Sequence, residues 1–505
     1  MGTSPSGQAV KLEVAGHGQA SGTTYDLHEG MNCLLIASSG NCFIFYEVDN
    51  TTDGGTPYKL MSNYTDVTVH IEGGTVQGYF DLTKGDDDDD WTQLTTHLLS
   101  KENVCLKSSK HVMNLKKSWL TTALNGSSVV DMMNVWKDLS EWQDELTGRS
   151  DAYGGETTYG QYCNNLSSVT SVGGDEGSGN PHATNYGTFY YYNYHERIFN
   201  ATKLLTVADN MWCIAHEQGH NRQNPINMVG NTEISNNLFS NLAIYKQGRY
   251  TSRTASIQAV FNDYLDGISW PERIAQSCNN VGDYNQQMLH FNWSLYMFFH
   301  LNGNDPDFFP RLYDALRADP MTRKDVSVNE GTITGGQFTA ASDDYLKFYV
   351  KCCEVSGYDL TDFFTSYGFF MIPSSESLTL GDITTTQYQL INDYSKSCLY
   401  VTQEMIDAAK ATVSALNLPK ANITFIEDRV TAPLATYEGH AEGELRTINP
   451  DAPVRSFGAV GEMGQYTDFG APCSAYAYNI SARGNVTVSG NRRSEERRVG
   501  KECRS

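Results

Sequence analysis

The chain has 505 residues, 40% hydrophobic, 19% charged and 11% aromatic, with 30 tyrosines, enough for a sizeable core and for two to four domains. Its net charge of −23 and pI near 4.8 argue against general nucleic-acid binding and against attraction to anionic membranes. No stretch approaches the ~18 consecutive apolar residues of a membrane span, so no transmembrane helix is expected.

The N-terminal run MGTSPSGQAVKLEVAGHGQ has no charged segment followed by an apolar one and does not read as a signal peptide. From about residue 9 to 110 the texture is that of short strands. VKLEV, MNCLLIA, NCFIFYEV, DVTVHIEGG and VQGYFDL are rich in β-branched and aromatic residues and are separated by Gly, Asn and Asp clusters. The pattern predicts an N-terminal β-sandwich over residues 1–110. The acidic run Asp86 to Asp90, just before Trp91, reads as a solvated loop in preference to a Ca²⁺ site.

The period changes near Val112. SSVVDMMNVWKDLSEWQDELTG carries apolar residues at helical spacing (Val130, Met133, Val135, Trp136, Leu139, Trp142) and stops at Gly148. A Gly/Ser/Asn-rich stretch follows, then the aromatic run FYYYNYHERIF (Phe189 to Phe199), which suits core packing, an edge strand or a substrate cleft. Helical patterns dominate to about Asn417, and a Gly-rich β-like texture over residues 431–492 predicts the start of a C-terminal β-domain. Residues 493–505, RSEERRVGKECRS, resemble a translated sequencing adapter and are expected to be an artefact. The other ten cysteines contain no C-x-x-C, so no thiolate zinc site is expected, and buried free thiols are at least as well supported as disulfides. The N-x-S/T sequons, among them Asn50, Asn63, Asn125 and Asn200, suit a chain rich in Asn and Thr and do not establish secretion.

The chemistry concentrates in LLTVADNMWCIAHEQGHNRQNP. Thr206 and Asp209 have capping-box spacing; Met211, Trp212, Ile214, Ala215 and Gly219 make a largely apolar helix, which Pro225 ends. On such a helix His216 and His220 stand one turn apart on one face, the spacing that chelates one ion, and Glu217 is offset to reach a metal-bound water as general base. Twelve histidines in a chain of this length produce H-E-x-x-H by chance at roughly the one-in-a-hundred level, so a third ligand is needed to decide. NTEISNNLFSNLAIYKQG predicts a second helix with Ile234, Leu238, Leu242 and Tyr245 on its buried stripe and Glu233 near its start. Glu233 completes a His₂Glu set with an open fourth position, as in catalytic zinc sites. Asn237, one turn on, is placed to hydrogen-bond a ligand histidine and fix its tautomer. Gln223 and Ile226 stand where a metzincin would need Gly and a third His.

AHEQGHNRQ followed by GNTEISNNLFS resembles the M60-like, enhancin-type zinc peptidases. VHIEGGTVQGYFDLTK with Trp91, NVWKDLSEWQDELTG and FIEDRV (Phe425 to Val430) extend the resemblance over roughly residues 25–430. It implies an α+β multidomain chain in which residues 111–430 form a mainly helical, thermolysin-like (gluzincin) catalytic domain. It also implies Zn²⁺ on His216, His220 and Glu233, catalysis by Glu217, and a glycoprotein, mucin-like substrate met outside the cell or at its surface. Gluzincins commonly stabilise the oxyanion with a later Tyr or His, for which His290, Tyr296 and Tyr245 are the candidates. Trp212 and Trp293 suit either core packing or stacking on sugar rings. A glycan-binding adhesin, with glycans held by the β-domains and a secondary or inactive peptidase core, is the alternative.

Overall fold

The structure is a computed structural model. Up to the second half of the chain it describes residues 10–15, 23–37, 39–45, 68–74, 78–98, 102–148, 167–172, 178–183, 187–228 and 231–247. Beyond these it describes 291–293, 295–296, 299–300, 305, 307–321, 324–327, 337–340, 342–366, 369–370, 378–380, 383–385, 389–392, 397–399, 402–421, 427–428, 454–455, 475–476 and 478–479. The chain divides into two compact units, Met1–Arg222 and Gln223–Ser505.

The first unit opens with β1 (Val10–Ala15), β2 (Thr23–Leu27) and β3 (Asn41–Phe45), an antiparallel sheet in the order β2-β1-β3. Val10, Leu12 and Val14 alternate onto one face and, with Leu27, form its apolar cluster. Among the described residues these strands make one sheet; residues 46–67, which the sandwich reading also takes in, lie outside the described residues. MNCLLIA forms no strand: Met31 and Leu35 are 91% and 90% exposed. Its apolar residues run on without alternation, so they select neither a buried face nor a register. The described part of DVTVHIEGG also pairs with nothing and turns at Gly73 and Gly74, both at positive φ.

A six-stranded mixed sheet follows, in the order β4-β5-β6-β7-β9-β8. Its strands are β4 (Phe80–Asp81), β5 (Asn103–Lys107), β6 (His111–Lys116), β7 (Ser167–Ser171), β8 (His182–Ala183) and β9 (Gly187–Tyr190). The β5–β6 hairpin turns at 108–110, so this sheet runs across the boundary expected at residue 110. The acidic run is not a loop: it starts α1 (Asp88–Gln93), with Asp87 and Asp90 forming a capping box. Asp88 reaches further, its carboxylate accepting from the Val129 and Val130 N–H groups and the Ser128 hydroxyl at the start of the helix Val129–Leu146. Those N–H groups have no partner within their own helix, so carboxylates there are favoured.

Helix α2 (Lys117–Leu124) ends at Asn125 in the left-handed conformation, and α3 (Val129–Leu146) covers the predicted helix. The aromatic run becomes β9, flanked by β7 and β8, and then α4 (Tyr192–Ile198), which corrects the edge-strand reading. Trp136 anchors the core, stacked on Phe199 and edge-on to Tyr190 and His111, its indole N–H donating to Ile198 O (3.0 Å). Asn200 caps α5 (Ala201–Thr206), and its buried amide donates to Ala123 and Leu124 carbonyls. This sequon therefore has no accessible amide, and Asn50 and Asn63 lie outside the described residues.

In the second unit α7 (Asn237–Lys246) is almost wholly buried, and α8 (Phe308–Ala318) sets Phe308, Phe309, Leu312, Tyr313 and Leu316 inward. Helices α9 (Ser342–Ser356) and α10 (Thr361–Ser366) share an aromatic core in which Phe291 meets Phe348, Phe363, Phe364 and Phe369. The helical texture read over this stretch is interrupted by strands: Lys324–Ser327, Gln337–Ala340, Ser397–Leu399 and Gln389–Asn392 form a four-stranded sheet. Helix α11 (Gln403–Ala415) closes the helical part, with Asn417 left-handed after it. Beyond residue 430 the described residues are three two-residue strands, and residues 493–505 are not described, so both C-terminal expectations lie essentially outside the described residues. Cys33, Cys42, Cys105, Cys213, Cys352 and Cys353 are free thiols, the last two buried. Among the described residues no helix is long and apolar enough to cross a membrane.

Candidate metal centre

Helix α6 (Ala208–His220) packs on α3, α4, α5, β8 and β9. It buries Met211, Trp212, Ile214, Ala215 and Gly219, as its sequence predicts. Its start differs from the expected capping box. Thr206 is the last residue of α5, its hydroxyl donating to Thr202 O, and Val207 precedes α6 without a side-chain cap. Asn210 does the tethering instead, accepting from Arg197 Nε (3.0 Å) and donating to Lys203 O (3.2 Å).

His216 and His220 project from one face with ring centroids 4.9 Å apart and planes at 86°. Glu217 lies between them in sequence and is 6% exposed. After Arg222 the chain makes a 3₁₀ turn, Asn224–Ile226, with Pro225 in its first turn. Ser235 Oγ donates to Gln223 Oε1 (2.7 Å), which fastens the returning chain to the start of the loop. Glu233 therefore lies in a turn four residues before α7, whose first residue is Asn237. The Asn237 amide donates to Glu233 O (2.6 Å), supporting the peptide that carries the carboxylate.

His216, His220 and Glu233 come together, one ligand atom of each within 4.8 Å of the others. Ligands of a tetrahedral zinc ion, at ~2.1 Å from it, lie about 3.4 Å apart. Small side-chain rotations close that difference, and two imidazoles with one carboxylate are a catalytic zinc donor set. The histidines are half-buried and Glu233 is exposed, which leaves the open side to water and substrate.

Behind the site lies a polar group that the motif did not reveal. His111 is wholly buried, and its Nε2 lies 2.8 Å from Gln218 Nε2, which donates to it, and 3.0 Å from Ser140 Oγ. Burial pushes His111 down to about 3, with the Arg222 charge acting in the same direction, so the ring is neutral with its proton on Nδ1. Gln143 Nε2 donates to Ala215 O (3.0 Å), and Asp144 holds Arg222 Nε and Lys110 Nζ, each at 2.9 Å. Tyr190, buried under α6, is held protonated chiefly by burial, with Cys213 and Glu217 acting in the same direction. The available sequence signal was the spacing of Ser140, Gln143 and Asp144, three polar residues on the apolar face of α3.

Of the oxyanion candidates, Tyr245 packs against Trp293 and Tyr296 is stacked between Trp293 and His300. His290 lies outside the described residues. Trp212 and Trp293, 2% and 4% exposed, are core residues and not cleft walls.

Residues 78–368 match the family described as peptidase M60, enhancin and enhancin-like. This is more than half of the chain. The chain belongs to that family. The match lies inside the 25–430 span of the resemblance read from the sequence. A family-type fold is also seen in a metallopeptidase from Bacteroides thetaiotaomicron (TM-score 0.60, 24% identity, 83% of this chain and 64% of that one). A metallopeptidase in complex with Tn antigen gives a TM-score of 0.61 at 24% identity, over 88% of this chain and 75% of that one. By sequence, the chain is 40% identical over 78 residues to the putative lipoprotein YghJ of Escherichia coli O78:H11. It is 41% identical over 71 residues to the putative lipoprotein AcfD homolog of E. coli K12. Those stretches are 14% and 13% of this chain and only 5% and 4% of the two relatives.

Proposed function

We propose that this chain is a zinc endopeptidase that cleaves O-glycosylated, mucin-like proteins outside the cell or at its surface, with zinc on His216, His220 and Glu233. The observation that carries the proposal is the convergence of these three donors, two of them on a helix in which the residue after the first is the carboxylate Glu217. Bound zinc supplies a Lewis acid that brings the pKa of a water toward neutrality and polarises the scissile carbonyl. Glu217 accepts the proton of the attacking water and hands it to the departing amine, the task of a general base followed by a general acid. Its low exposure limits competition from bulk water for that proton. Asn237 steadies the Glu233 peptide through its carbonyl, so the carboxylate is presented from a fixed turn.

The glycosylated substrate is supported by the similar metallopeptidase in complex with Tn antigen, and the location by the two relatives named as lipoproteins. The test is incubation of the zinc-loaded protein with matched glycosylated and deglycosylated forms of several O-glycoproteins. Cleavage of the glycosylated forms alone is expected. Equal cleavage of both forms overturns the glycan requirement, and glycan binding without any cleavage overturns the peptidase in favour of a lectin-like adhesin.

A further inference from the structure

We infer that α3 sets the position of the metal-binding helix through three side chains, Ser140, Gln143 and Asp144, and that Gln143 is the positioning residue nearest the ligands. The inference rests on the zinc reading of His216, His220 and Glu233.

The three residues occupy one face of α3 and grip α6 at Gln218, Ala215 and Arg222, on both sides of the ligand pair. Gln143 donates to the Ala215 carbonyl, which belongs to the same peptide bond as the His216 N–H. Inside an α-helix that carbonyl already serves the N–H four residues on. The Gln143 bond is thus a second one, dispensable for forming the helix. Ser140 donates to Gln218 Oε1 (3.1 Å), and the Gln218 amide donates to His111 Nε2, so β6 joins the same grip. Asp144 fixes Arg222 two residues after His220, with the arginine side chain 5% exposed.

The other buried residues of α3 are all apolar, Met132, Met133, Trp136 and Leu139 among them. Apolar burial is non-directional and resists sliding or rolling only weakly, whereas hydrogen bonds fade within a few tenths of an ångström and fix a register. Zinc needs donors within about 0.2 Å of ideal. Gln143 is also a costly choice for a wholly buried position. Its Oε1 is buried without a hydrogen-bond partner, and a methionine would fill similar volume without an unsatisfied polar atom. The side chain makes sense as a locator for the Ala215–His216 peptide, not as a source of stability.

The test compares the full chain as wild type, Gln143→Met and Ser140→Ala. Three quantities are read: zinc affinity by chelator competition, the visible spectrum of the cobalt(II)-substituted protein, and the unfolding temperature of the metal-free protein. Gln143→Met is expected to weaken zinc by roughly 10- to 100-fold, the range for groups that orient ligands. It should also shift the cobalt bands while leaving the metal-free unfolding temperature essentially unchanged. Ser140→Ala should move the first two in the same direction by less, and it decides the matter should Gln143→Met not fold. Wild-type affinity and an unshifted cobalt spectrum in both variants overturn the inference, as does a loss of affinity matched by an equal loss of metal-free stability. A wild-type protein that binds no zinc overturns the reading of the site itself and is told apart by that result.

Discussion

Of the three proposed ligands, Glu233 is the one whose removal is most informative, because it is exposed and its loss costs little packing. Glu233→Ala is expected to lose stoichiometric zinc at micromolar free metal while keeping the wild-type far-UV circular dichroism. Full zinc content measured by elemental analysis would remove it from the ligand set. A second prediction comes from two buried histidines. His111 and His300 are both pushed down to about 3 by burial, His300 accepting from Phe309 N (3.1 Å). In the unfolded chain they take up protons near pH 6.5, and in the folded chain not until about pH 3. The unfolded state thus binds more protons across that window, and stability rises with pH from about 3 to 6.5. Lowering the pH from 7 to 5 should cost about 2 kcal/mol for each, read by urea denaturation. A stability unchanged between these pH values contradicts the neutral, buried state.

At the scale of elements, the acidic run is a test of how α3 begins. Asp88→Ala removes the acceptor for Val129 N and Val130 N and should destabilise the fold by about 1 kcal/mol in denaturant titrations. No change would mean that water serves those groups equally well. The placement of His216 and His220 on one helix face was legible in the sequence because the pair obeys helical spacing and a helix was easy to read there. Much of its support was not. Thr206 and Asp209 have capping spacing, yet Thr206 closes the preceding helix, since a local pattern cannot tell which of two adjoining helices it caps. The hydrogen bonds from Gln143 to Ala215 and from Gln218 to His111 join residues 72 and 107 positions apart, a separation that periodicity cannot reach.

At the scale of the whole molecule, the strands were the hardest part to read. VKLEV alternates and becomes β1, but MNCLLIA is as apolar and remains exposed, because a strand needs a partner edge as well as propensity. The six-stranded sheet joins β4 to β6 with strands that arise some fifty or more residues later, beyond α3. Long-range parallel pairings such as β6 with β7 leave no local trace. The family match over residues 78–368 covers this sheet, the helix that carries His216 and His220, and the turn that carries Glu233. The account therefore stands or falls on whether those ligands hold zinc and Glu217 works beside it. The most direct measurement pairs zinc content with cleavage of an O-glycosylated substrate in wild type and Glu217→Gln. The account predicts one zinc per chain in both, with cleavage lost by at least ~100-fold in the variant. Cleavage at the wild-type rate by Glu217→Gln, or a wild type that is active without metal, would contradict it.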